Sequence, residues 1–178
     1  MDALHDLIGE GRPTPTAQQV AERAGVGLRS VFRHFSDMET LYAAMDARVR
    51  AEVTPLFETA PPEGDLRRRA RALVAHRVSL YERIAPWKRS GNAHRWRSPF
   101  LRERHGAFVR QLRADLARWL PELERAPEPL AHALELATSF EAWDRLRGEQ
   151  RLSRERAQDA LAHVVLALVD GLRPRRRR

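Results

Sequence analysis

One stretch of the sequence decides the fold: Thr16-Ala-Gln-Gln-Val-Ala-Glu-Arg-Ala-Gly-Val-Gly-Leu-Arg-Ser-Val-Phe-Arg-His-Phe35. Thr16 and Gln19 have the spacing of a capping box, which predicts that a helix begins here. Gly25 can take the left-handed conformation that ends a helix, so it is the predicted turn. The residues after it predict a second short helix over 28–34. The stretch therefore predicts two short helices joined at a glycine.

The sizes of the side chains predict how these two helices pack. Ala21 is small where the helices cross closely. The residues expected to face inward and hold the crossing are Val20, Val26 and Val31. The second helix then exposes polar side chains that can reach base edges and phosphates in a DNA major groove, namely Arg29, Ser30, Arg33 and His34. An ordinary helical hairpin also needs small residues at its crossing, so the spacing alone leaves both interpretations open.

The charge of the chain does not point to this motif by itself. The net charge is +8, and every basic residue except Lys88 is arginine. Residues 1–60 contain six Arg and nine Asp or Glu, a net charge of −3, whereas residues 61–178 have a net charge of +11. The narrower window 12–34 holds four arginines against one acid, Glu22. This small basic face coincides with the two-helix motif.

Composition excludes several classes of protein. The chain has 178 residues, 43% of them apolar, which is enough for a core. No apolar run is long enough to span a membrane and no signal peptide is visible, which predicts a cytoplasmic protein. Cysteine is absent, and the seven histidines form no helical metal-binding pair. Without a phosphate-binding loop or a nucleophile elbow, we expect no enzyme, no cofactor and no metal.

The rest of the chain has helical periodicity, punctuated by proline and glycine. A short apolar stripe ends at Gly9, and the Ala-Pro-Pro-Glu-Gly segment at 60–64 is the clearest boundary. Ser36 with Glu39 and Ser98 with Pro99 predict further helix starts. The predicted helices beyond the motif run from 36 towards 55, from 65 to 84 before Pro86, from 98 to 120, from 129 to 147 and from 153 to 172. The stretch 87–97 is expected to be irregular and basic.

The run Val31-Phe-Arg-His-Phe-Ser-Asp-Met-Glu-Thr-Leu41 resembles the junction of the recognition helix and the fourth helix in the TetR family of regulators. The resemblance implies an all-α, TetR-like fold. It implies a three-helix helix-turn-helix DNA-binding domain over 1–50, with its motif at about 16–35. A helical effector-binding and dimerisation domain would cover 51–172, and a basic tail over 173–178 is expected to be disordered. The residues that it places on DNA are Thr16, Ala17, Gln18, Gly27, Leu28, Arg29, Ser30, Phe32, Arg33, His34 and Met38.

Three positions depart from the family pattern on this expected DNA face. Phe32 stands where members usually have a tyrosine whose hydroxyl reaches a phosphate. Met38 stands where they usually have a lysine with the same role, and Gly27 where Ser or Thr often caps the recognition helix. Phosphate contacts supply much of the affinity and fix the register on DNA. We therefore expect DNA binding that is weaker, or differently oriented, than is typical.

The resemblance further implies a small-molecule pocket among the middle helices and a dimeric four-helix bundle formed by the last two. The bulky candidates for the pocket are Trp87, Trp96, Phe100, Phe108, Trp119, Phe140 and Trp143. Near them His94, Arg95 and Arg97 would suit an anionic ligand. The apolar surface of the last helix is wider than one stripe, which predicts burial on more than one side. The candidates for the dimer interface are Leu130, Leu134, Ala137, Leu161, Val164, Val165 and Leu168.

Two functions fit the sequence. The first is a sequence-specific transcriptional regulator, a repressor that binds a palindromic operator in double-stranded DNA as a homodimer and is released by a small-molecule effector. The alternative is a TetR-like dimeric ligand-binding or interaction protein with weakened or lost specific DNA binding. Phe32, Met38 and the acidic first 60 residues favour the alternative. The polar face of the second helix favours the first.

Overall fold

A computed structural model of the chain describes residues 2–34 and 38–172, without the side chains of His34 and Met38, and its regular elements there are all helical. This confirms the predicted all-α fold. The α-helices are α1 (Asp2–Gly9), α2 (Ala17–Ala24), α3 (Leu28–His34), α4 (Met38–Phe57), α5 (Leu66–His94), α6 (Pro99–Trp119), α7 (Glu128–Ala137), α8 (Phe140–Asp144) and α9 (Arg154–Asp170). A 3₁₀ turn covers Pro121–Arg125 and a π-helical turn Arg145–Glu149. The predicted cap at Ser36 and the tail 173–178 lie outside the described residues.

The chain divides into two compact units. Unit 1 comprises residues 1–57 and 83–108, and unit 2 comprises residues 58–82 and 109–178. The second half of α5 and the first half of α6 thus belong with the N-terminal helices. A functional domain boundary at residue 50 stays a prediction, since compactness does not by itself assign a function.

The core of unit 1 joins α1, α2 and α4. Its members are buried aliphatic side chains, the most enclosed being Leu4, Leu7, Ile8, Val20, Leu41 and Met45. Trp87 of α5 packs against this cluster, and its ring lies 4.7 Å from the ring of His5. This packing holds the short helix α2, and α3 in turn packs against α2; helices of this length are too short to be stable alone.

The core of unit 2 contains an aromatic cluster and a buried ion pair. The ring centroids of Tyr81, Phe140 and Trp143 lie 5.5–5.9 Å apart. Arg77 Nη2 lies 3.0 Å from a carboxylate oxygen of Asp115, and both side chains are buried. Helices α7 and α9 pack against each other in this unit.

Two predicted helix boundaries are wrong. Helix α5 does not stop before Pro86 but continues to His94, so the stretch 87–94 is helical rather than irregular. A helical proline loses one backbone hydrogen bond and costs about 3 kcal/mol. Ile84 and Ala85 are buried beside it and Trp87 packs on the unit 1 core, and this packing offsets the cost.

The predicted helix 129–147 is broken between α7 and α8. The Ser139 hydroxyl accepts a hydrogen bond from the Ala142 N–H and caps α8. The Thr138 carbonyl accepts a hydrogen bond from the buried Tyr81 hydroxyl instead of continuing the helical ladder. By contrast, the predicted cap at Ser98 is confirmed, because its hydroxyl accepts the Leu101 N–H at 3.0 Å. No helix in the described part of the chain is long and apolar enough to cross a membrane.

Candidate DNA-binding site

Helix α2 begins at the predicted capping box. The Thr16 hydroxyl accepts the Gln19 N–H at 3.2 Å, and the Thr16 N–H donates to Gln19 Oε1 at 2.9 Å. These two bonds satisfy backbone donors that a helix start leaves open. On the exposed side, Gln18 is hydrogen-bonded to Glu22 at 2.9 Å. The prediction for this helix start is confirmed.

The turn between α2 and α3 uses Gly25 in the left-handed conformation, with φ of 65°. The Val26 N–H donates to the Ala21 carbonyl at 3.1 Å and closes the end of α2. Apart from its chain neighbours, the described residues place no atom within 4 Å of where a Gly25 Cβ would be, so the backbone conformation is what favours glycine here.

The crossing of α2 and α3 is buried at three of the four predicted positions. Val20, Ala21 and Val31 are each less than 9% exposed. Val26 is 45% exposed, so the prediction that it faces inward is wrong. It directly follows the left-handed turn, which carries the backbone away from the face shared by the two helices.

The outer face of α3 presents both polar and apolar side chains. Arg29 and Arg33 are exposed and, four residues apart, lie on the same side of the helix. Neither pairs with a carboxylate among residues 2–34 and 38–172. Leu28 and Phe32 are 40% and 48% exposed, and Ser30 is half-buried. An exposed phenyl ring beside two unneutralised guanidinium groups suits a contact surface better than a folded core.

The remaining predicted DNA residues flank this face. Thr16 and Gln18 are exposed at the start of α2, and Ala17 is half-buried between them. Gly27 is exposed before α3, where its carbonyl accepts the Ser30 N–H at 2.8 Å. The side chains of His34 and Met38 lie outside the described residues.

One arginine of the basic window is already neutralised within the protein. Arg23 forms two hydrogen bonds with the carboxylate of Glu10, at 2.7 and 2.6 Å. The hydrogen bond from Arg23 holds the pKa of the exposed Glu10 carboxyl below its usual value. The pair ties α2 to the end of α1. This pair could not be predicted from the sequence, because the partners are 13 residues apart across a loop.

The predicted pocket residues do not gather at one place. Trp87, Trp96, Phe100 and Phe108 belong to unit 1, whereas Trp119, Phe140 and Trp143 belong to unit 2. Trp119, Phe140 and Trp143 are at most 2% exposed, as core residues are, while Trp96 is 68% exposed. The effector pocket therefore stays a prediction.

The predicted dimer residues of unit 2 differ in exposure. Four of them are buried within one chain: Leu134, Ala137, Leu161 and Val165. Leu130 and Leu168 are half-buried, and Val164 is 47% exposed. On the adjacent α7, Leu136 is 68% exposed, although the sequence did not single it out.

The first three helices and the start of α4 carry a recognisable family signature. Residues 2–45 match the family model described as bacterial regulatory proteins, tetR family. Over these residues the chain resembles the TetR family, and the match supports a DNA-binding regulator in which α2 and α3 form the helix-turn-helix.

A solved structure supports the fold over nearly the whole chain. A transcriptional regulator from Rhodococcus sp. Rha1 is similar to it with a TM-score of 0.72 and 23% sequence identity. The similarity covers 96% of this chain and 94% of that one. No curated protein matches the chain.

Proposed function

We propose that this protein is a TetR-type cytoplasmic repressor that reads a palindromic operator through α3. The observation that carries the proposal is the pair Arg29 and Arg33, exposed on one face of α3 without carboxylate partners among the described residues. Bidentate contacts from arginine to guanine are the commonest specific contacts in a major groove. The buried crossing at Val20 and Val31 holds this face in place.

A homodimer would place two such helices on DNA. Exposed Leu136 and Val164 lie on α7 and α9, two helices that pack together in unit 2. Apolar side chains exposed on neighbouring helices favour burial against a second copy under a two-fold axis. Two recognition helices held one turn of DNA apart, or a multiple of it, would read the two halves of a palindrome.

The affinity for phosphates should be lower than is typical of the family, because Phe32 has no hydroxyl and Met38 no charge. Phe32→Tyr with Met38→Lys should tighten binding, and the lysine should steepen the log–log salt dependence by about one unit. If neither the affinity nor the salt dependence changes, positions 32 and 38 do not lie against DNA phosphates.

The direct test compares Arg29→Ala and Arg33→Ala with a matched control, Arg71→Ala, an exposed arginine in unit 2. Each variant of α3 should weaken binding to a selected operator by about 1–3 kcal/mol, which is roughly 5- to 150-fold. The control should leave specific binding unchanged. Unaltered affinity in both α3 variants would favour the alternative, a dimeric ligand-binding or interaction protein without specific DNA binding.

Release by a small molecule is the second part of the proposal. What supports it is the buried Arg77 of unit 2, whose Nε and Nη1 atoms have no hydrogen-bond partner among the described residues. Buried donors are normally satisfied, so acceptor oxygens of a ligand would complete this site. A screen of small carboxylates and phenols for compounds that raise the melting temperature and weaken operator binding tests this. Arg77→Met combined with Asp115→Leu, which removes both buried charges and should remain folded, should abolish the response to any such compound.

A further inference from the structure

We propose that the turn joining α5 to α6, residues 94–98, is a second DNA-binding surface, which contacts phosphates beside the bases read by α3. We call it the basic turn. The inference rests on the proposed DNA-binding function but concerns different residues. It assigns a role to Arg95, Trp96 and Arg97, which otherwise have none in the fold.

The basic turn exposes an aromatic ring that a core would normally bury. Trp96 is 68% exposed, and the guanidinium carbon of Arg97 lies 4.1 Å from the centre of a Trp96 ring. Stacking on a ring occupies the face of a guanidinium and leaves its N–H donors available at the edges. Arg97 is exposed and Arg95 half-buried. Neither pairs with a carboxylate in the part of the chain that the structure describes.

The backbone of the basic turn is held by several hydrogen bonds. The Arg97 N–H donates to the His94 carbonyl at 3.0 Å, and the Arg102 N–H to the carbonyl of the buried Ser98 at 3.1 Å. Arg102 Nη1 also approaches the carbonyls of Arg95 and Trp96, at 3.5 and 3.3 Å. The arginine and tryptophan side chains are thus presented from an ordered turn, which lowers the entropy cost of binding.

The basic turn lies beside the helix that follows the recognition helix. The ring of His94 is 5.2 Å from the ring of Tyr42, which is four residues into α4 and so about 6 Å along its axis from Met38. Arg104 of α6 forms an ion pair with Asp46, one turn further along α4, at 2.9 Å. These contacts are all within unit 1. They place the basic turn near the position where the resemblance puts a phosphate-binding lysine that this chain lacks.

The net positive charge of unit 1 comes from residues 83–108, which include the basic turn. Residues 83–108 contain seven Arg or Lys and a single acid, Glu103, a net charge of +6. Residues 1–57 contain six Arg and eight Asp or Glu, a net charge of −2. A polyanion such as the DNA backbone would therefore be attracted to unit 1 mainly by the segment that contains the basic turn.

The experiment uses the full-length protein and two labelled duplexes, one selected by the protein from a random pool and one of mixed sequence. Binding is measured by fluorescence anisotropy over a range of salt concentrations for wild type, Arg95→Gln/Arg97→Gln and the control Arg71→Gln/Arg110→Gln. The control removes the same charge from exposed positions in unit 2. Circular dichroism verifies that each variant is folded.

We expect the double variant of the basic turn to weaken binding to both duplexes alike and to reduce the log–log salt slope by about two, since each lost phosphate contact removes about 0.9. The control should keep the wild-type slope. DNA should also protect wild-type fluorescence from acrylamide quenching, and this protection should disappear in Trp96→Phe, because Trp96 is the exposed tryptophan.

The outcomes separate this inference from the proposed function. If the wild type binds DNA and Arg29→Ala weakens it, but the basic-turn variant keeps the wild-type slope and Trp96 stays accessible to acrylamide, the inference is wrong and the function stands. An equal loss of slope in the unit 2 control also overturns the inference, because only total charge would matter. A wild type that binds neither duplex at low salt overturns both.

Discussion

Asp115→Ala should strongly destabilise unit 2. Arg77 is 1% exposed, and its Nη2 group lies 3.0 Å from Asp115 and donates to the Leu112 carbonyl at 2.7 Å. Without the Asp115 carboxylate, the Arg77 guanidinium would stay buried, and among the described residues its polar contact would be the Leu112 carbonyl. Removing one partner of a buried ion pair costs about 3–5 kcal/mol, because the other charge is left uncompensated.

Two further variants separate the buried contact of Asp115 from its exposed one. Arg118 also contacts Asp115, at 2.5 Å, but its side chain is 39% exposed, so Arg118→Ala should cost about 0–1 kcal/mol. Arg77→Met combined with Asp115→Leu removes both buried charges at similar volume and should lie close to the wild type or above it in stability.

Urea unfolding at fixed protein concentration, followed by far-ultraviolet circular dichroism, measures these differences. With a slope of about 1–3 kcal/mol per molar urea, a loss of about 3–5 kcal/mol should lower the midpoint of Asp115→Ala by roughly 1–5 M or leave the unit unfolded in buffer. The reasoning is refuted if Asp115→Ala is no more destabilising than Arg118→Ala, or if the double replacement is as harmful as the single one.

Three more predictions follow from individual side chains and turns. Gly25→Ala should destabilise the protein by about 1–2 kcal/mol, because φ is 65° at this position. Gly27→Ser should stabilise it by a few tenths of a kcal/mol, because a serine there would cap α3. Equal effects of the two substitutions on thermal unfolding would contradict this. Burial lowers the pKa of His76 below its usual 6.5, so the unfolded chain takes up a proton first and stability should fall as the pH drops below 6.5. His76→Gln should flatten that acid-side loss in melting temperature, and an unchanged pH profile would exclude His76 as its cause. Val164→Glu should yield folded monomers in sedimentation, because Val164 is 47% exposed. Val165→Glu should instead unfold unit 2, because Val165 is fully buried. If the Val164→Glu protein is still a dimer, this face does not form the interface.

Local signals in the sequence were sufficient to predict the two helices and the turn between them, while the family resemblance was needed to predict that they bind DNA. The capping bonds of Thr16 join residues three apart, and the turn at Gly25 depends on the conformational freedom of one residue. Such features need no tertiary information, so they can be predicted from a short window. The exposure of Val26 was not predictable in this way, because it depends on the direction of the chain after the turn.

Features that depend on contacts between residues far apart in the chain could not be predicted from the sequence. Helix α5 passes through Pro86 because Trp87 packs on the core formed by α1, α2 and α4. The Arg77–Asp115 pair joins residues far apart in the chain, and nothing in either helix indicates the other. From the sequence, the residues of the basic turn were predicted only to suit an anionic ligand. Their position beside α4 depends on the packing of His94 on Tyr42, which the sequence does not indicate.

Whether α3 reads a DNA sequence is measured by selecting DNA fragments from a random pool with the purified protein and sequencing them. We expect an enriched palindrome whose half-sites are centred one helical turn apart, or a multiple of it, and whose enrichment is lost in Arg29→Ala/Arg33→Ala. A folded wild-type protein that enriches no sequence, or that enriches the same sequence as this double variant, would contradict it.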